Sequence, residues 1–296
     1  MKTITDIARM QEFSRQLRSG GLSVGLVPTM GYLHEGHLEL VRTAKELCEV
    51  VVVSIFVNPT QFNDPEDFAN YPRDDKTDLA LLEHEGVDLV FKPRAEEVYV
   101  DGAATSVRVK GLSEGLCGPG RPGHFEGVAT VVAALLNMVA PDVAVFGSKD
   151  YQQLQIIRRL VADLHFPVRI VAGETVREPD GLAMSSRNAR LSAKERAQAP
   201  AVYRGLCDAA EAFNAGETRS SALLEAARRR IVESAAIELE YLELVDGQTL
   251  EPQAAAYDGC VVAVAVRLGA VRLIDNVELS RGCPDHTLLG REDIHA

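Results

Sequence analysis

The chain has 296 residues, 46% of them hydrophobic and 25% charged, enough for one large or two medium domains with ordinary cores. Its 43 acidic against 31 basic residues give a formal charge of -12, and its longest basic block is the "RRR" at 228–230; no nucleic-acid partner is expected, and an anionic substrate would need local basic groups. Five cysteines, at 48, 117, 207, 260 and 283, show no C-x-x-C spacing, and no apolar run approaches about 18 residues, so reduced thiols, a cytoplasmic setting and no membrane partner are the expectation.

In chain order, the runs "LSVGLVP" (22–28), "EVVVVSIFVNP" (49–59), "VDLVF" (87–91), "DVAVFG" (142–147) and "PVRIVAGE" (167–174) are β-branched and lack polar alternation, as parallel strands buried on both faces do. Segments of helical period lie between them. Residues 35–48 put Leu38, Val41, Ala44, Leu47 and Cys48 on one face, and 74–85, 124–140 and 149–164 carry similar stripes. The pattern is a βαβ series, an α/β doubly wound parallel sheet. After residue 175 the texture changes. Two amphipathic stretches, 191–216 and 220–235, precede the strand-like "IELEYLELVD", "CVVAVAVRLG" and "VRLIDNVEL", which predicts a smaller α+β unit over 176–296. There is no internal repeat and no low-complexity segment.

In a doubly wound sheet, ligands bind beyond the carboxyl ends of the strands, where the first strand-to-helix turn offers backbone N–H groups and a positive dipole end to an anion. Residues 28–37, "PTMGYLHEGH", occupy that turn. Neither G-x-x-x-x-G-K-[ST] nor G-x-G-x-x-G occurs, so no P-loop or dinucleotide fingerprint accounts for it. Gly36 would let a phosphate or base come close to the backbone, and His34 and His37, three apart, could both face a ligand. The same pair would also suit a plain helix cap or half of a zinc site.

"HEGH" after a first strand resembles the His-x-Gly-His signature of the nucleotidyltransferase superfamily that includes class I aminoacyl-tRNA synthetases, and "GLAMSSRN" (181–188) resembles that superfamily's Lys-Met-Ser-Lys-Ser type loop. Taken in order, "VPTMGYLHEGHL", "SIFVNPTQF", "YPRD", "RPGHFEGV", "FGSKDYQQL" and "DGLAMSSRN" resemble the pantothenate synthetase family of pantoate–β-alanine ligases, and "RLIDN" (272–276) continues the likeness. The resemblance implies a Rossmann-like catalytic domain over 1–175 that binds ATP and pantoate, and a C-terminal domain over 176–296 that carries a mobile loop. It implies an AMP-forming ligase that condenses pantoate with β-alanine through a pantoyl adenylate, releasing pyrophosphate. ATP is then a substrate, Mg2+ arrives on its phosphates with no protein ligand assigned, and a homodimer is expected.

Carried over by position, His34, His37 and Lys149 are the catalytic candidates, since attack on the α-phosphorus needs placed donors and cations more than a strong base. Around the histidines, Gly31, Tyr32, Leu33, Glu35 and Gly36 belong to the nucleotide turn. The resemblance gives the adenine side to backbone near Pro28, Met30 and Val176, and the ribose to Gly147 and Asp150 with Ser148 beside them. Met184, Ser185, Ser186 and Arg187 would close over the phosphates. Gln61 and Gln153 match the pantoate-contacting glutamines, whose amides suit a molecule with two hydroxyls and a carboxylate. Arg121 and His124 in "RPGHF" are read as loop termination before the following helix. Three rivals remain in view: a nucleotidyltransferase acting on a phosphate-bearing acceptor, which has no need of the two glutamines; a noncatalytic nucleotide-binding module; and a zinc hydrolase built on His34 and His37.

Overall fold

The computed structural model describes residues 1–233 and 235–282, so Cys283 lies outside it. The chain divides into two compact units, Met1–Thr175 and the remainder from Val176. In the first unit β1 (Lys2–Ile4), α1 (Ile7–Ser19), β2 (Val24–Thr29), α2 (Glu35–Leu47), β3 (Val50–Ile55), α3 (Pro65–Ala69), α4 (Asp75–His84), β4 (Leu89–Phe91), α5 (Ala95–Val98), α6 (His124–Val139), β5 (Val143–Gly147), α7 (Tyr151–Asp163) and β6 (Arg169–Gly173) follow one another. The six strands form a parallel sheet in the order β1-β4-β3-β2-β5-β6. β1 goes unread in the sequence because it is three residues long with one buried side chain, Ile4. β3 is buried throughout, as its valine run predicts. By contrast β6, at the sheet edge, leaves most of Arg169–Gly173 partly or fully exposed, because a strand with one neighbour is covered less.

The apolar face of α2 is Leu38, Val41 and Ala44, continuing to Cys48, and packs on Val27, Val51, Val53 and Val145. Leu47 does not share that face: it is exposed, because the buried stripe steps by four residues from 44 to 48. The strands at the middle of the sheet set the site. β2 follows β3 in register from Val24↔Val50 to Thr29↔Ile55, but pairs with β5 only at Gly25↔Val143 and Leu26↔Ala144. Past that point β5 stays with β6, as far as Gly147↔Gly173. The carboxyl ends of β2 and β5 therefore part, and the crevice between them is where the strand order reverses.

The second unit contains α8 (Ala193–Gln198), α9 (Ala201–Asn214), α10 (Ser220–Val232) and the strands β7 (Ile237–Asp246), β8 (Cys260–Leu268) and β9 (Val271–Glu278), which form an antiparallel sheet. Residues 191–216, read as one helix, are two: Pro200 has no N–H to continue α8 and serves instead at the start of α9. Leu206, Phe213, Leu223 and Ile231 of the helices pack on Val262, Val264 and Val266 of β8 in one core. Among the described residues no helix is long and apolar enough to cross a membrane.

Candidate active site

The turn after β2 is held from outside itself. Pro28 offers no N–H to the sheet, and the neighbouring Thr29 hydroxyl donates to Ser54 O at 2.8 Å while accepting from Gly31 N at 3.2 Å. Gly31 and Tyr32 both take left-handed backbone, with φ of 77° and 51°. Glycine is required at 31, since a Cβ there would stand 2.9 Å from Asp78 Oδ2. The carboxylate of Asp78, on α4, accepts from Tyr32 N at 2.8 Å and Leu33 N at 2.7 Å. Asp78 is buried, and this burial raises its pKa against the opposing pull of the two backbone donors. Backbone N–H groups that the sequence suggests for an anion are thus engaged internally at Gly31, Tyr32 and Leu33.

His34 caps α2 with extended backbone, φ -137°, and His37 sits one turn in, the two rings 4.0 Å apart between centroids. His34 N donates to His37 Nδ1 at 3.3 Å. His37 is partly exposed, yet desolvation by the protein around its ring, with His34 and Lys149 adding to it and Asp150 opposing, lowers its pKa to about 3. The ring is then neutral, and since Nδ1 accepts, its proton lies on Nε2. Lys149 is in a single 3-10 turn, Ser148–Asp150, that follows β5 at Gly147 and precedes α7; the sequence reading puts it in the helix itself. Its Nζ lies 3.8 Å from Asp150 Oδ2. β2 and β5 thus bring the histidines, Gly147, Ser148, Lys149 and Asp150 to the two lips of one crevice. Glu35 and Gly36, the first residues of α2, lie at the same lip as the histidines.

Gln61 ends a 3-10 turn, Pro59–Gln61, beyond β3. Its Nε2 contacts Met30 Sδ at 3.1 Å, which joins the glutamine to the histidine turn. Its Oε1 accepts from Asn58 Nδ2 at 3.1 Å, and the same amide donates to Gly127 O of α6, also at 3.1 Å. Asn58 is buried and takes the Tyr99 hydroxyl on Oδ1 at 2.6 Å. Arg121 and His124, set aside in the sequence, bear on the same turn: Arg121 Nη1 lies 2.9 Å from His124 Nε2, and His124 Nδ1 lies 2.8 Å from Gln61 O. An arginine can only donate, so Nε2 accepts and Nδ1 carries the proton to the Gln61 carbonyl. α6 approaches this closely because residue 127 is glycine; a Cβ there would stand 2.5 Å from Thr60 O. On α7, Gln153 is partly exposed and its neighbour Gln152 is buried, bonding Cys117 N, Leu112 O and Gly115 O to hold the loop before α6.

The serine-loop residues belong to the second unit. Residues 176–184 make a short hairpin: Met184 N donates to Val176 O at 3.0 Å, Arg177 bridges Ala183, and Glu178 N donates to Leu182 O at 2.8 Å. Ser185 caps the 3-10 turn Ser186–Arg190, its Oγ accepting from Arg187 N at 3.2 Å, and Ser186 is buried. Asn188 ties the turn back by donating to Glu178 Oε1 and Ala183 O, both at 3.0 Å. Among the described residues, no group of three or more His, Cys, Asp or Glu is arranged to hold a metal ion. The sequence reasoning assigned no role to Asp78, Asn58 or Tyr99 and set His124 aside, yet all four hold the site residues or their supports. Asn58 lies within "SIFVNPTQF" and His124 within "RPGHF", Asp78 follows "YPRD", and no motif points to Tyr99.

The profile of the pantoate-beta-alanine ligase family matches residues 2–278. A pantothenate synthetase of a Sulfurihydrogenibium species is 50% identical over 279 residues, covering 94% of this chain and 100% of that protein, and one of Geobacter sulfurreducens is 48% identical with 94% and 99% covered. Among solved structures, pantothenate synthetase from Thermus thermophilus superposes with a TM-score of 0.88 at 46% identity, over 94% of this chain and 99% of that one. The pantoate-beta-alanine ligase of Francisella tularensis, solved with beta-gamma ATP and beta-alanine, gives 0.77 at 33% identity over 94% and 97%. With a parted β2/β5 crevice carrying His-x-Gly-His and a match that runs through both units, the chain belongs to the pantoate–β-alanine ligase family.

Proposed function

We propose that the chain joins pantoate to β-alanine in two steps, the first of them served by the histidine turn, Lys149 and the glutamines. A carboxylate oxygen of pantoate attacks the α-phosphorus of ATP; the new P–O bond forms as the bond to the β-phosphate oxygen breaks, and pyrophosphate leaves. The neutral amine of β-alanine then attacks the acyl carbon of pantoyl adenylate, the C–N bond forms, AMP departs with the bonding pair, and the nitrogen gives up a proton. Mg2+ enters with ATP as part of that substrate.

The observation that carries this is the hydrogen bond from His34 N to His37 Nδ1 at 3.3 Å, which turns Nε2 of that ring outward to a ligand. A neutral ring with Nδ1 occupied by His34 N has one donor left, Nε2–H, which suits a phosphoryl oxygen as charge builds on it. Lys149 supplies the cation from the opposite lip, with Gly147, Ser148 and Asp150 on the ribose. Gln61 and Gln153 take pantoate, and the position of Gln61 is supported by Asn58 and His124. Pro28, Met30 and Val176 border the adenine. Met184, Ser185, Ser186 and Arg187 form the phosphate arm; the Ser185 hydroxyl, though it accepts Arg187 N, keeps its own proton to donate. On this reading the enzyme works as a homodimer in the cytoplasm, where ATP is supplied; light scattering of the purified chain checks the first point.

Exchange of labelled pyrophosphate into ATP tests the order of steps. It is expected to require pantoate and Mg2+ and to proceed without β-alanine. Exchange that instead needed β-alanine would overturn the adenylate-first order, and no exchange under any combination would favour a nucleotide-binding module.

A further inference from the structure

One buried ion pair roots the hairpin that leads to the phosphate arm. Arg177, on the first strand of the hairpin, donates from Nη1 to Asp275 Oδ2 at 2.6 Å and from Nη2 to Asp275 Oδ1 at 3.0 Å, a bidentate fork onto β9. Nη1 also donates to Gly181 O, at the hairpin turn, at 3.1 Å. The flat face of the guanidinium lies over the Tyr203 ring of α9, 3.5 Å from its centroid. The two charged side chains are only 14% and 4% exposed. A turn, a helix and a strand are therefore indexed to one planar group, which a lysine or an apolar side chain could not do.

Stability alone does not account for such a pair, because well-packed apolar residues of similar volume serve a fold as well or better. What the pair adds is direction. We propose that Arg177, oriented by Asp275, is a positioning residue for the ligase reaction: it sets where Met184–Arg187 stand before ATP arrives. The inference rests on the reading of those residues as the phosphate arm.

The path from Arg177 to the arm is short and has little slack. Arg177 is bridged to Ala183, and the flanking bonds Glu178 N to Leu182 O and Met184 N to Val176 O bracket that bridge. Ser185 follows directly and caps the turn that carries Ser186 and Arg187. The far side of the hairpin is fixed independently, by Arg196 of α8 bound to Asp180 Oδ2 at 2.5 Å and to Glu178, and by Asn188 donating to Glu178 and Ala183. A tilt of the Arg177 fork would be transmitted to Ala183 and Met184 along these bonds, and donors set in advance where the phosphates of ATP will stand hold it more tightly than donors that must first be ordered.

The test is Arg177→Lys, which keeps a cation beside Asp275 but loses the fork, the stacking and the Gly181 bond. The KM for ATP is expected to rise at least about tenfold, while the KM for pantoate and the reaction of preformed pantoyl adenylate with β-alanine stay within about twofold of wild type. A residue that only supports the fold would reduce the active fraction, so kcat would fall with the KM for ATP unchanged, and that result overturns the proposal. Arg187→Ala, measured alongside, separates the two claims. If it leaves the KM for ATP unaltered, the phosphate-arm reading fails and the positioning role with it; if it raises that KM and Arg177→Lys does not, the positioning role alone fails. Should Arg177→Lys not fold, hydrogen exchange of the wild-type protein without nucleotide decides: slow exchange at Glu178, Gly181 and Met184 is expected, and exchange at unprotected rates overturns the proposal.

Discussion

The histidine turn and the serine-loop hairpin hold their functional residues by opposite means. At 28–37 a single side chain from elsewhere, Asp78, grips backbone N–H groups, and the chain between Gly31 and Leu33 bends through left-handed conformations that it would not hold alone. At 176–188 the backbone bonds to itself as a hairpin, and side-chain charges, Arg177 with Asp275 and Arg196 with Glu178 and Asp180, fasten that hairpin to its unit. A turn clamped through its backbone depends on one carboxylate. A hairpin fastened at several side chains can lose a lesser one, such as Asn188, and stay folded, while the Arg177 fork sets the direction of its arm. Disturbing the first region should therefore cost more stability than disturbing the second.

The largest effect is expected at the residue the first turn exists to present. His37→Ala should lower pyrophosphate exchange by two or more orders of magnitude, about 3 kcal/mol of transition-state stabilisation, with an unchanged circular dichroism spectrum. Near-normal exchange in a folded variant would remove the histidines from the chemistry.

Next comes the clamp. Asp78→Asn keeps one acceptor and turns an amide donor toward a backbone N–H, which should cost about 1–3 kcal/mol in urea unfolding and reduce exchange roughly tenfold. Gly31→Ala should destabilise by a similar amount, through its φ of 77° and the 2.9 Å approach to Asp78 Oδ2. If both variants are as stable and active as wild type, the turn keeps its shape unaided and the contrast between the regions disappears. In the hairpin, Asn188→Ala removes two hydrogen bonds and is expected to lower stability by only about 1 kcal/mol and to raise the KM for ATP a fewfold. A loss larger than that of Asp78→Asn would reverse the ranking.

A pH dependence tests the first region without a change of sequence. His37 has its pKa lowered from 6.5 to about 3 in the folded state, so between those values the unfolded chain binds a proton that the folded chain refuses. Stability is then fully present above pH 6.5 and falls as pH drops through the window, by at most about 1.4 kcal/mol per pH unit from this one group. His37→Gln should flatten the fall in urea midpoint between pH 7 and pH 5. In the wild type, the His37 ring should show no titration by NMR above pH 5; a midpoint near 6.5 would mean that the ring is solvated and not held as described.

Much of the molecule could be read in advance because it rests on local rules. Unbroken β-branched runs, 3.6-residue stripes and the break in texture after 175 are properties of neighbouring residues, and β2 to β6, α2, α4, α6 and α7 follow from them with shifts of a residue or two at their ends, except that β3 stops at Ile55, four residues before the end of the run that predicted it. The His-x-Gly-His turn was legible for the same reason: glycine and histidine at the end of a strand are a statement about a few consecutive positions. The edge exposure of β6, the outward turn of Leu47 and the split at Pro200 depended on what each segment packs against or on a backbone donor missing at one position.

What only the tertiary structure decided are the residues that hold the site, since their partners are far away along the chain. Asp78 meets Leu33 across 45 positions, His124 meets Gln61 across 63, and Arg177 meets Asp275 across 98. No periodicity links such pairs. An aspartate in the first turns of a helix reads as a solvated, dipole-favoured residue, and here it is a buried clamp because the start of α4 reaches the turn that follows β2. The reacting groups announce themselves by residue type and spacing, because the chemistry needs those atoms; their supports are ordinary residues that become specific only when folding buries them and leaves one partner within reach.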